Sequence, residues 1–129
     1  MKNLSLNSTE QSIINIIEVV GDYKLKTIRS KNKEEKIQLS RAILGVVLYE
    51  NKTTIKRIGS IINRHHATVL HYIGNHKDNL KYYPEYNVLY DEVKEEYRTG
   101  YKRAKVDIME KQIKELQDSI KTLKVNLNY

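Results

Sequence analysis

Four histidines, His65, His66, His71 and His76, fall in one short stretch and are the first residues to test for chemistry. His66 and His71 are five apart, as are His71 and His76, so neither pair shares a helix face as an i, i+4 pair does. The chain has no cysteine, and few carboxylates lie nearby to complete a ligand set. No metal and no cofactor are expected. The ten tyrosines raise the question of a DNA-nicking or recombining enzyme. A nickase would need two histidines flanking one apolar residue, and a tyrosine recombinase would need arginines spaced around a histidine. Neither pattern occurs, so no catalytic residue and no enzyme activity are expected. What remains to be explained is the basic character of the stretch and its surroundings.

The charge is distributed to match. The chain has 129 residues, with 23 Lys and Arg against 16 Asp and Glu, a net +7. Residues 22–81 hold thirteen basic and five acidic side chains, a net +8, together with all four histidines. Residues 82–129 hold nine of each sign. A basic segment of this kind suits nucleic acid or an anionic membrane surface. Its helices are short and its charges cluster in loops, which favours DNA over a membrane. No apolar run reaches the roughly 20 residues that span a bilayer. The polar start MKNLSLNSTE lacks the core of a signal peptide. A cytoplasmic setting is therefore expected, nucleoid-associated or within a virion if phage-encoded.

Helices must position these groups, since one Pro and five Gly leave few breakers. Ser8 and Gln11 fit a capping box before Ile13, Ile14, Ile17 and Val20, with Gly21 as the stop. Residues 22–32 form a basic connector with a helical turn near Lys26–Arg29. A second helix is predicted from about Lys33 to Tyr49, with Leu39, Ala42, Ile43, Val46 and Val47 on one face. Thr53 or Thr54 caps a short helix carrying Ile55, Ile58, Ile61 and Ile62 inward. Asn63-Arg64-His65 makes a tight turn, and the next helix carries Val69, Leu70 and Ile73. This is the outline of a helix-turn-helix. Pro84 opens a further helix with Tyr86, Leu89, Tyr90, Val93 and Tyr97, and Gly100 predicts a bend near Thr99–Tyr101.

The tail carries a seam. Val106, Met109, Ile113, Leu116, Ile120, Leu123 and Leu127 are spaced alternately three and four apart. With Val106 at heptad position a, β-branched residues dominate a, and Leu or Met fills d, which favours two parallel strands. Lys105 at g faces Glu110 at e of a partner. So narrow a stripe suits a partner helix better than a globular core. A homodimer through this helix is expected.

Ile58-Gly59 and Arg64-His65-His66-Ala67-Thr68-Val69-Leu70-His71 resemble the C-terminal DNA-binding domain of the bacterial replication initiator DnaA. That family's signature reads Arg, Asp, His, Thr, Thr, Val, an aliphatic residue and His. Arg64, His66, Thr68, Val69, Leu70 and His71 match it. The resemblance runs from about Ser12 to Tyr97 and includes Tyr23-Lys24-Leu25-Lys26 and the basic loop after it.

The resemblance implies an all-α protein. A DnaA-like helix-turn-helix domain would span residues 8–98, and a long C-terminal coiled-coil helix residues 102–127. It implies double-stranded DNA as partner, with the second helix of the pair entering the major groove. His66 and Thr68 would then read base edges, with His65 and Ala67 beside them at the helix start. Arg64 and His71 would lie near phosphates or the groove edge. Lys31 and Lys33 belong to the loop that reaches the minor groove. Ile55, Lys56 and Arg57 would approach the backbone at the start of the first helix, and Arg41 from the helix before. His65 stands where the family has Asp, Ala67 where it has Thr, and Glu34 and Glu35 dilute the loop. These departures predict a different target or a weaker sequence preference. The chain lacks the phosphate loop and the length of an ATPase. It is read as a dimeric regulator or replication accessory factor of phage or mobile-element type. The alternative is a structural or adaptor protein, such as a virion component, assembling through its C-terminal helix.

Overall fold

The computed structural model of the protein describes residues 4–127, the Tyr101 side chain excepted. Among these residues all regular structure is helical: α1 (Ser8–Gly21), α2 (Leu25–Ile28), α3 (Glu35–Glu50), α4 (Ile55–Ile62), α5 (His66–Gly74), α6 (His76–Tyr82) and α7 (Pro84–Leu127). The chain divides after Tyr97 into two compact units, and the opening turns of α7 belong to the first.

In the first unit, α1 is capped one position earlier than its pattern indicates. Asn7 Oδ1 accepts from the Glu10 N–H at 2.8 Å, and Glu10 Oε1 accepts from the Asn7 N–H at 3.0 Å. Gln11, the expected partner, instead donates to Asn15 Oδ1 on the exposed face at 2.8 Å. Asp22 rather than Gly21 takes the left-handed conformation at the end of α1, with φ 65°. Gly21 serves packing, because a Cβ there would lie 2.9 Å from Ser40 Oγ on α3.

Helix α3 is the centre of the unit. Every residue from Ser40 to Leu48 is buried, so the helix presents no single apolar face. It is enclosed by α1, α2, α4 and α5. Ile43, Leu44, Val47 and Leu48 are fully withdrawn from water. Each such side chain contributes roughly 1.5–3 kcal/mol of transfer free energy. Thr54 caps α4 by accepting from the Arg57 N–H at 3.3 Å. Ile58, Ile61 and Ile62 of α4 and Val69 of α5 complete the core.

Two features differ from the sequence pattern. Helix α6 was not expected, because its seven residues carry only Leu80 as an inward aliphatic side chain. Helix α7 remains helical through Gly100, where the sequence predicted a bend or hinge near Thr99–Tyr101. A lone glycine costs a helix only about 1 kcal/mol relative to alanine, which the flanking turns absorb.

A polar cluster fastens α6 and α7 to the end of α3. His76 Nδ1 and the Tyr86 hydroxyl lie 2.6 Å apart, and the His76 ring meets the Tyr90 ring edge-on at 4.5 Å. The Tyr90 hydroxyl donates to the Glu50 carboxylate at 2.7 Å, and Lys94 Nζ lies 3.5 Å from the same group. Burial holds the His76 imidazole below the ordinary histidine range, and Lys94 adds to the effect while Glu50 opposes it. The unfolded chain therefore takes up a proton near the ordinary pKa of about 6.5 that the folded state resists. Stability through this group is full above that pH and is lost on acidification. The urea midpoint should fall between pH 7 and pH 5, and His76→Gln should flatten that fall. An equally steep fall in the variant would assign the effect to another group.

Candidate nucleic-acid interface

Asn63, Arg64 and His65 alone separate α4 from α5. Asn63 closes α4 in the left-handed conformation, φ 57°, which Asn tolerates better than most residues. The Arg64 N–H donates to the Gly59 carbonyl at 2.9 Å. The turn folds back so closely that a Cβ on Gly59 would lie 2.7 Å from the Arg64 carbonyl oxygen. Glycine is required at that position for steric reasons. His65 then caps α5, its Nδ1 accepting from the Ala67 N–H at 3.1 Å. With Nδ1 as acceptor, the neutral ring carries its proton on Nε2. The His65 and His66 rings lie with centroids 4.1 Å apart.

Helix α5 turns Val69 into the core, with Tyr72 and Ile73 packed beside it. Its outward side presents Ala67, Leu70, His71 and Gly74, with His66 exposed at the first turn and Thr68 half-buried. His71 Nε2 lies 2.9 Å from the Asn75 amide nitrogen, which donates and fixes the ring. An open, shallow hollow beside this end of α5 is lined by Lys56, Gly59, Ser60, Asn63, Arg64, His65 and His66.

The loop between α2 and α3 is fastened to this turn by guanidinium groups. Arg64 donates to the Ser30 carbonyl at 2.6 Å and to the Asn63 carbonyl at 2.8 Å. Arg29 donates to the Ser60 and Ile61 carbonyls, both at 2.7 Å, at the end of α4. Arg41 donates to the carbonyls of Ile28 at 2.8 Å, Ser30 at 3.1 Å and Asn32 at 3.2 Å. The loop thereby brings exposed Lys31 and Lys33 to the same unit as exposed Lys56 and the start of α5. The Tyr23 hydroxyl donates to Glu34 at 3.1 Å, so part of the loop's negative charge is engaged.

Several residues expected to face DNA are used inside the fold. Arg41 is only 3% exposed and is removed from the candidate interface. Burial lowers its pKa, with Arg64 as the next cause. Arg57 pairs with Glu10, Nη2 to Oε1 at 3.0 Å and Nε to Oε2 at 3.1 Å. That pairing holds the Glu10 carboxyl below its usual range and raises the Arg57 guanidinium. The Ile55 side chain packs against the core, leaving only its backbone near the start of α4. Leu70, which the sequence placed with Val69 and Ile73 on this helix, is 49% exposed. Its place on the helix, about 100° from Val69 and on the side away from Tyr72, was the available signal. Arg29 was read only as one charge of a basic connector. No group of three His, Asp or Glu among the described residues could hold a metal ion.

Compared with models of known protein families and with curated proteins, the chain matches none.

The His65 cap is testable. His65→Ala should cost about 1 kcal/mol of unfolding free energy, the usual loss on removing a helix cap. His65→Asp should recover most of it, since a carboxylate accepts the same N–H. Equal denaturation midpoints for His65→Ala and the parent would show that the ring nitrogen does not cap α5.

Proposed function

We propose that the first unit binds double-stranded DNA, with α5 in the major groove, and that the second unit joins two copies of the chain. The observation that carries this reading is the Arg64 bridge. It ties the Lys31–Lys33 loop to the exposed start of α5, so that two surfaces able to follow two grooves are held as one. His66, Ala67 and Thr68 then approach base edges, His71 lies one turn on, and Lys31, Lys33 and Lys56 neutralise phosphates. The resemblance to the initiator's DNA-binding domain supports the same arrangement. On this reading the chain is a regulator or replication accessory factor of a phage or mobile element.

The second unit supports dimer formation. Val106, Met109, Ile113, Leu116, Ile120, Leu123 and Leu127 are each between 49% and 82% exposed. A seam of that length, spaced in heptads, is covered by no apolar partner among the described residues of its own unit. Among the described residues no helix is long and apolar enough to cross a membrane.

One observation favours the adaptor reading as its competitor. Arg29, Arg41, Arg57 and Arg64 all donate to groups within the fold, which leaves mainly lysine for phosphate. Salt dependence separates the two. Affinity for random duplex should fall steeply as salt rises, because each neutralised phosphate adds about 0.9 to the log–log slope. Lys56→Ala should weaken binding to all sequences alike and reduce that slope by about 1. No binding to duplex even at low salt would sink the DNA reading.

The seam gives a separate expectation. Ile113→Asp and Ile120→Asp should each yield a monomer by light scattering, because a carboxylate at position a must be desolvated against its symmetry mate. A dimer that survives both changes places the interface elsewhere.

A further inference from the structure

The outward side of α5 is unexpectedly apolar. Ala67, Leu70 and Gly74 follow one another at helical spacing and are all exposed. Every other large aliphatic side chain of α4 and α5 is turned inward: Ile58, Ile61, Ile62 and Val69 are fully buried, and Ile55 and Ile73 pack against the core. Leu70 alone is not part of that packing and stays 49% exposed. Thr68, expected to read base edges, is half-buried. The outward surface therefore combines one bulky aliphatic group with two residues too small to obstruct it, bordered by the imidazoles of His66 and His71.

A side chain of this kind cannot read hydrogen-bond donors or acceptors. The apolar group that a DNA major groove ordinarily displays is the C5 methyl of thymine. Ala67 and Gly74 matter because they let the helix approach closely enough for Leu70 to reach it. A Cβ added at Gly74 would meet nothing within 4 Å in the protein, so this space is open.

We propose that Leu70, supported by Ala67, is a specificity-determining contact that reads thymine methyl groups. This rests on the DNA-binding reading. It assigns sequence preference to apolar contact at Leu70 in place of the hydrogen bond forfeited at Ala67. The preferred site is then thymine-containing at the positions facing the first two turns of α5.

The test uses the full chain and a site selected from a random duplex pool. Thymines of that site are replaced one at a time by uracil, which removes the methyl and leaves every hydrogen-bonding group unchanged. For the parent protein, one or two positions should lose about fourfold in affinity, the usual effect of one buried methyl group. Leu70→Ser should bind thymine and uracil equally at those positions while keeping its affinity for random duplex. Because Leu70 lies outside the core, the variant should unfold at the same denaturant midpoint as the parent. A parent indifferent to uracil at every position, or a Leu70→Ser variant that retains the penalty, overturns the proposal while leaving DNA binding intact. Absence of any duplex binding is a different result and overturns both readings.

Discussion

Arg41 is withdrawn almost wholly from water, and among the described residues it forms no ion pair with a carboxylate. Desolvating a guanidinium costs several kcal/mol, and Arg64 nearby adds like-charge repulsion. What offsets this is a set of three charge-assisted hydrogen bonds to the carbonyls of Ile28, Ser30 and Asn32. Those carbonyls sit where α2 ends and the chain runs without regular structure to α3, so few backbone donors are available to them. The loop and the buried charge therefore satisfy each other. If either were altered, the other would be left with an uncompensated polar group inside the protein.

The same device continues outward. Arg29 takes two carbonyls in the last turn of α4, where acceptors lack helical partners and a positive charge suits the helix dipole. Arg64 reaches back from the turn to the loop. Three arginines thus set the position of the α2–α3 loop against α4 and α5, and the space left by Gly59 lets the turn close over α4. This arrangement has a consequence for binding. A guanidinium engaged with carbonyls cannot also grip a phosphate with its full fork. The charges left on the surface are mainly lysines, which act as hydrated point charges and confer little geometric selectivity. Selectivity would then have to come from the outward side of α5.

This division of roles explains which parts were legible in the sequence. Helix positions followed from the isoleucine spacing in α1 and α4, from Pro84 at the start of α7, and from the short Asn63–His65 turn. The role of Arg41 was not legible. An arginine that packs against irregular backbone has the same neighbours in sequence as one that faces solvent, and its partners lie nine to thirteen residues away along the chain. The cap of α1 was misplaced by one residue because Asn7–Glu10 and Ser8–Gln11 both satisfy the local rule. The choice was made by Arg57, 47 residues further on, which binds the same Glu10 carboxylate. His65 was read as one of the departures that predict a different target or a weaker sequence preference. A ring nitrogen accepts the N–H that a carboxylate would have taken, so the change preserves the cap.

The second unit presents the opposite case, in which the sequence pattern is nearly all the information there is. Every described residue from Lys102 to Leu127 is exposed, so along this stretch no burial among the described residues supports the helix. A helix stabilised only by its own hydrogen bonds is marginal in water, and one that also exposes seven aligned aliphatic or thioether side chains gains nothing from burying them. Ser119 and Thr122 donate to the carbonyls of Glu115 and Asp118, four residues back, and such bonds add little to helix stability. Covering the seam, as in the proposed dimer, would supply free energy to hold this segment helical. Lys105 at g and Glu110 at e select among possible partners, since a parallel second copy sets opposite charges together twice. In an antiparallel pair that keeps the same seam, Lys105 meets Asn126 and Glu110 meets Gln117, and the attraction is lost. In the proposed dimer, charge and seam would both favour the parallel arrangement.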